Sequence, residues 1–180
     1  MSRIVPAIVG LSPHLETLQQ SPESYRPPAC PPCGLGELWC HGGYQRKAAR
    51  SLESSARWDP SPVPRFLCQG CGRTCARLPA CLAPRRWYDW SLQQWVLPLL
   101  LVGCSLHRCA GRVGLDRRTV GRWWGWLKDR GDPFAFLLRS RFPALGRTVD
   151  LASFWSAVLA HLGLMRGRAW LDGQEGVMVP

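Results

Sequence analysis

At 180 residues the chain suits one medium domain or two to three small modules, and its 46% hydrophobic content can fill cores that 16 prolines and 18 glycines keep short. Twenty-one arginines and two lysines against 12 acids leave a formal charge of +11, which points to a polyanionic partner, most simply nucleic acid. The plainer alternative is an arginine-rich composition spread over a solvated basic surface.

The start, MSRIVPAIVGLSP, has one arginine and a short apolar run broken by Pro6, so no secretory leader is expected. Residues 1–29 are expected to be a flexible N-terminal tail. The most apolar stretch, WVLPLLLV (Trp95–Val102), is far shorter than the ~20 residues that a membrane span needs. A cytoplasmic, non-membrane protein is expected. In a reducing compartment nine cysteines, an odd number, read as metal ligands and packing thiols rather than disulfides.

A zinc ribbon is expected over 30–83. Cys30-x-x-Cys33-Gly34 and Cys68-x-x-Cys71-Gly72 repeat one small turn. Two such pairs supply a tetrahedral four-thiolate site for Zn2+, each pair biting the ion through a narrow turn. A glycine after each second cysteine can take positive φ, which lets backbone N–H groups turn toward the sulfurs. The 34 residues between the pairs exceed the usual ~15–20. The excess is read as a loop over Ala48–Pro64, flanked by strands in ELWCHGGYQRK and VPRFLC. A redox Cys-x-x-Cys is the rival, but that chemistry expects the motif to open a helix. Cys40, His41, Cys75 and Cys81 are alternative ligands; Cys40 and Cys75 read more simply as packing thiols, and Cys81, Cys104 and Cys109 as buried ones.

Helical spacing takes over after Arg86, with a helix-turn-helix domain expected over 84–131. A helix is predicted from Asp89 to Val102, capped by Asp89 and bent at Pro98. In SLHRCAGRVGLDRRTVGRWWGWLKDR, Leu106, Cys109, Ala110 and Val113 share a face. Gly114 makes the turn, Leu115 plugs it and Asp116 caps a second helix with Val120, Trp123 and Leu127 inward. Arg117, Arg118, Thr119 and Arg122 lie on its other side, where a recognition helix needs groups for guanine edges and phosphates. The alternative is an ordinary hairpin with a solvated basic face. Trp124 and Trp126 read as packing residues. Beyond lies a C-terminal helical extension, 132–180. Asp132-Pro133 opens a short helix. Asp150 caps LASFWSAVLAHLGLM, whose apolar face closes the helical core or pairs with a second copy. His161 reads as a lone histidine, and the tail from Gly167 has no strong pattern.

CPPCG, HGGYQRK, RFLCQGCGRT, LP and RRWY, followed by these helices, resemble the zinc-ribbon-plus-helix-turn-helix module of bacterial insertion-sequence transposases and of short stand-alone transposase-like proteins. The resemblance covers Cys30 to Arg130 and departs at the long Ala48–Pro64 insert. It implies an α+β fold, mostly α: a small N-terminal β zinc ribbon, then a helical domain. It also implies zinc on Cys30, Cys33, Cys68 and Cys71, and DNA contact through Arg117, Arg118, Thr119 and Arg122. Common transposase catalysis needs three metal-binding acids on an RNase-H-like core. Asp150, Asp172 and Glu175 beyond the module do not supply the length or strand pattern for one. A non-catalytic protein binding double-stranded DNA is therefore expected, with a transposase catalytic subunit or a second copy as further partners. The alternatives are an adaptor docking a transposase or the transcription machinery through the ribbon and C-terminal helices, and a metal-dependent nuclease using Asp172 and Glu175.

Overall fold

The computed structural model describes residues 3–46, 60–82, 88 and 90–174. It is an α+β chain with more helix than strand, divided into two compact units, Met1–Asp89 with Arg168–Pro180, and Trp90–Gly167. Among the described residues no helix is long and apolar enough to cross a membrane.

The first unit is built on a three-stranded antiparallel sheet in the order β2–β3–β4 (Leu38–Arg46, Ser61–Cys68 and Thr74–Cys75). The register Leu38↔Cys68 through Arg46↔Ser61 slips by one residue between Cys40 and Gly43. At that bulge Gly42 takes φ +64° and Gly43 lies too close to the Val63 carbonyl for any Cβ. The Gly-Gly interruption thus has a use. The predicted strands hold, but the expected loop of Ala48–Pro64 runs too far: residues 61–64 belong to β3, because they pair with Gly43–Arg46 of β2. Of its remainder, 48–59 lie outside the described residues and Pro60 is an exposed bend before β3.

One face of this sheet buries Leu38, Phe66 and Cys68 and needs a cover. The N-terminal residues provide it, so the expectation of a flexible tail is corrected. Here β1 (Ile4–Val5), α1 (Leu11–Gln20) and a 3-10 turn at Pro22–Tyr25 precede the first cysteine. Val5, Ile8 and Tyr25 join Cys30, Leu38, Phe66 and Cys68 in one core, with Leu18 packed against it. Pro13 stands in the first turn of α1, where its missing N–H costs no intrahelical bond. β1 runs parallel to β5 (Leu78–Pro79), and Asp172 accepts the N–H groups of Arg3 at 2.5 Å and Ile4 at 2.8 Å. Arg77 donates to the Ile4 carbonyl at 2.9 Å. Asp172 is therefore a buried tie within this unit.

The second unit holds α2 (Trp90–Leu101), α3 (Leu106–Val113), α4 (Arg117–Asp129), α5 (Gly131–Arg141) and α6 (Leu151–His161). Asp89, the expected cap of α2, lies outside the described residues; Pro98 sits inside the helix. α2 packs against α3, α4 and α6, and α5 against α4 and α6. The proposed split between 84–131 and 132–180 therefore does not follow the packing. Phe154, Trp155, Val158 and Leu159 of α6 close the same core that Val120, Trp123 and Leu127 enter from α4. Trp126 packs on Phe134 and Trp155, at 5.4 and 6.4 Å between ring centroids.

Two caps follow the sequence reading and one does not. Asp150 accepts from the Ser153 N–H at 2.9 Å and hydroxyl at 2.6 Å, which also lowers its pKa. Asp132 makes no cap: α5 starts at Gly131, almost continuous with α4, and Asp132 sits inside the first turn. Gly163 at φ +76° ends the expected long C-terminal helix early, and α7 (Leu164–Asp172) follows where no pattern was read. Gln94 accepts from the Leu164 N–H at 2.8 Å and so caps it.

Candidate functional site

The two Cys-x-x-Cys-Gly turns fold alike, bond for bond. In the first, the Gly34 N–H donates to the Cys30 carbonyl at 2.8 Å and the Cys30 N–H to the Leu35 carbonyl at 2.7 Å. In the second, Gly72 donates to Cys68 at 2.9 Å and Cys68 to Arg73 at 3.0 Å. Gly34 and Gly72 take φ +77° and +64°, the left-handed conformation that allows each chain reversal. Neither turn opens a helix, as a redox motif would.

β2 leaves the first turn and β3 leads into the second, so their pairing at Leu38↔Cys68 sets the turns side by side. The Cys30, Cys33, Cys68 and Cys71 sulfurs all lie within 4.8 Å of one another. Across the turns, Cys30 Sγ is 3.6 Å from Cys71 Sγ and Cys33 Sγ 3.5 Å from Cys68 Sγ. Tetrahedral zinc–thiolate bonds of ~2.3 Å require sulfurs about 3.8 Å apart, so the spacing fits. Disulfides need sulfurs about 2 Å apart, and all nine cysteines are free.

Burial pushes the Cys30 thiol up to about 12, against the N–H of Cys33 that favours its thiolate. Cys68 goes the other way, to about 7, held there chiefly by the N–H of Cys71, with further help from that of Gly70. Four thiolates this close repel strongly unless a cation neutralises them, and a dication with preference for sulfur does so. The four cysteines could thus hold a metal ion, most naturally zinc. Cys30 and Cys68 belong to the core of the first unit, which ties the site to its folding.

Among the described residues no other group of three or more His, Cys, Asp or Glu side chains meets in this way. Cys40 is exposed on β2, and Cys75 is half-buried beside Phe66 on β4. Cys109 is buried as expected, whereas Cys81 and Cys104 are only half-buried.

On the second unit, Ser105 caps α3 by accepting from the Arg108 N–H at 3.3 Å. Gly114 at φ +65° makes the turn, and Asp116 caps α4 by accepting from the Arg118 N–H at 2.7 Å. Arg117, Arg118 and Arg122 are exposed along the first two turns of α4, with Thr119 half-buried among them. Among the described residues none of these arginines is in an ion pair. The opposite face, Val120, Trp123 and Leu127, is buried. The helix therefore presents a rigid cationic side to solvent.

The sequence reading missed His14. It is buried on α1, with Nε2 2.8 Å from the Pro62 carbonyl and Nδ1 bonded to the Tyr25 hydroxyl. A carbonyl only accepts, so Nε2 carries the proton and Nδ1 accepts from Tyr25. No local spacing marks it, because Ile4 lies in β1, Ile8 precedes α1 and His14 is the one fully buried residue of α1.

Residues 30–123, just over half of the chain, match the model of a family described as a domain of unknown function, DUF6431. The match begins at the first zinc-type cysteine and ends on α4 at Trp123. No curated protein and no solved structure matches the chain.

Proposed function

The chain belongs to the DUF6431 family, and from that premise we propose that it is a non-catalytic protein that grips duplex DNA with α4 and is stabilised by zinc on Cys30, Cys33, Cys68 and Cys71. The observation that carries this reading is the exposed Arg117, Arg118 and Arg122 on a helix whose other face is locked into a core. α3 and α4 then act as a helix-turn-helix, with the N-terminal turns of α4 entering the major groove. Arginine can hold a guanine edge with two hydrogen bonds, and the half-buried Thr119 would offer its hydroxyl to a phosphate. The formal charge of +11 supplies the non-specific attraction. The resemblance to insertion-sequence transposases suggests an origin in mobile elements, with a separate catalytic subunit or a second copy as partner. The zinc has a structural part here: it holds the turns of the ribbon and adds no reactive group.

The experiment is duplex binding at one salt concentration, on a selected site and on a scrambled duplex. Arg118→Ala should weaken binding to the selected site by ~1–3 kcal/mol and the scrambled duplex less. Selected-site binding by Arg118→Ala and Arg122→Ala that equals wild type sinks the reading. Flat salt dependence favours the adaptor alternative.

A further inference from the structure

The β2–β3–β4 sheet has a second face that the site above does not use. Residues directly opposite in antiparallel strands share a face, and the register pairs Trp39 with Leu67 and Leu67 with Thr74. These three side chains therefore make a row across all three strands. Their strand neighbours Leu38, Phe66 and Cys68 are buried on the other side. Trp39 is 59% exposed and Thr74 is exposed, with Leu67 half-buried between them. Arg65 precedes Leu67 by two residues, on the same face, and its guanidinium lies over the Tyr44 ring at 5.3 Å from the centroid. Among the described residues β2 is the edge of the sheet, with no strand paired outside Trp39.

Farther along the same face Val63 is buried with Leu78 and Leu82, and Tyr44 packs against them, so the open part is the Trp39–Leu67–Thr74 row. We propose that this row is a stacking platform for unpaired nucleotides, with Trp39 as the stacking side chain and the half-buried Arg65 at its border as the cation for a phosphate. Charge selects the occupant. Residues 30–46 and 60–82 carry four arginines against one glutamate, Glu37. A protein partner would need a broader apolar patch than Trp39 and Leu67 give, since the polar Thr74 and Arg65 adjoin them on this face. A single strand brings flat base faces for an indole and phosphates for a guanidinium, a sequence-tolerant combination. In a duplex the base faces are already stacked on one another, so an indole on a sheet meets them only where the strands are open. The platform lies in the other unit from α4 and does not rest on that helix as reader.

The test measures binding of labelled dT12 and of a 20-base-pair duplex to wild type, Trp39→Ala, Trp39→Phe, Trp39→Leu and Arg118→Ala, with zinc content and circular dichroism alongside. Trp39→Ala and Trp39→Leu should weaken dT12 binding ~5- to 100-fold, as one lost base–aromatic stack does, and change duplex affinity less than twofold. Trp39→Phe should keep most of the dT12 affinity, which a purely apolar role would not separate from Leu. Arg118→Ala should do the reverse of Trp39→Ala, so failure of α4 as reader appears only in the duplex column. Wild type without dT12 binding overturns the proposal, as does Trp39→Ala binding dT12 like wild type. Equal losses on dT12 and duplex, or Phe and Leu behaving alike, also overturn it. A Trp39→Ala change confined to self-association in sedimentation makes the face a protein interface instead.

Discussion

One histidine and two glycines, His14 and Gly43 in the first unit and Gly111 in the second, show what single residues decide. His14 is buried, and burial lowers its pKa, offset in part by its bond to Pro62. Its folded value thus lies below the ordinary 6.5, so the unfolded chain binds the extra proton first. Its contribution is present above about pH 6.5 and is lost as pH falls through that value toward the folded pKa, by at most ~1.4 kcal/mol per pH unit. Melting temperature should fall between pH 7 and pH 5, and the fall should be shallower in His14→Gln. Equal slopes would mean that other groups, the thiols among them, carry all of the acid sensitivity. Gly43 and Gly111 make a contrasting pair. A Cβ at Gly43 would sit 2.8 Å from the Val63 carbonyl oxygen, part of the paired strand, whereas at Gly111 on α3 nothing lies within 4 Å. Gly43→Ala should destabilise by ~1–3 kcal/mol, as overpacking does, while Gly111→Ala should stabilise by up to about 1 kcal/mol through helix propensity. Thermal melts of the two variants check both signs.

At the scale of elements, the sequence was most legible where backbone chemistry repeats. Cys-x-x-Cys-Gly written twice specified both turns, and Gly114-Leu115-Asp116 specified the break between α3 and α4, because αL glycines and side-chain caps are local requirements. Asp116→Ala should cost ~1 kcal/mol, read as a lower denaturant midpoint at unchanged slope. Val120→Asp should unfold the helical unit outright by burying an unpaired charge. The N-terminal elements were not legible for a physical reason. α1 begins on an uncapped Gly10, carries Pro13 and buries only His14 fully, so its order comes from the sheet it covers and not from its own pattern. The same holds for α7, whose Asp172 finds its partners at Arg3 and Ile4, 169 and 168 residues away in the chain. Long-range contacts of that kind leave no spacing to read.

At the scale of the molecule, the four-cysteine site and the exposed arginines of α4 belong to different units. Two of the four thiol groups are core residues of the first unit, so metal loss should loosen that unit first. Purified protein should hold one zinc per chain. Cys33→Ser and Cys71→Ser should release it and lower the first melting transition, while the helical signal of Trp90–Gly167 persists to higher temperature. Elemental analysis without zinc, or zinc retained by both variants, contradicts the site. The helical unit carries the claim about function, and its most direct measurement is the affinity for duplex DNA across a salt series. If arginines of α4 and its surroundings neutralise ~5 phosphates, log K against log salt should fall with a slope near about −4.5, and less steeply in the Arg118→Ala, Arg122→Ala double variant. A flat line for wild type, or the same slope and affinity in the double variant, would contradict DNA binding through α4.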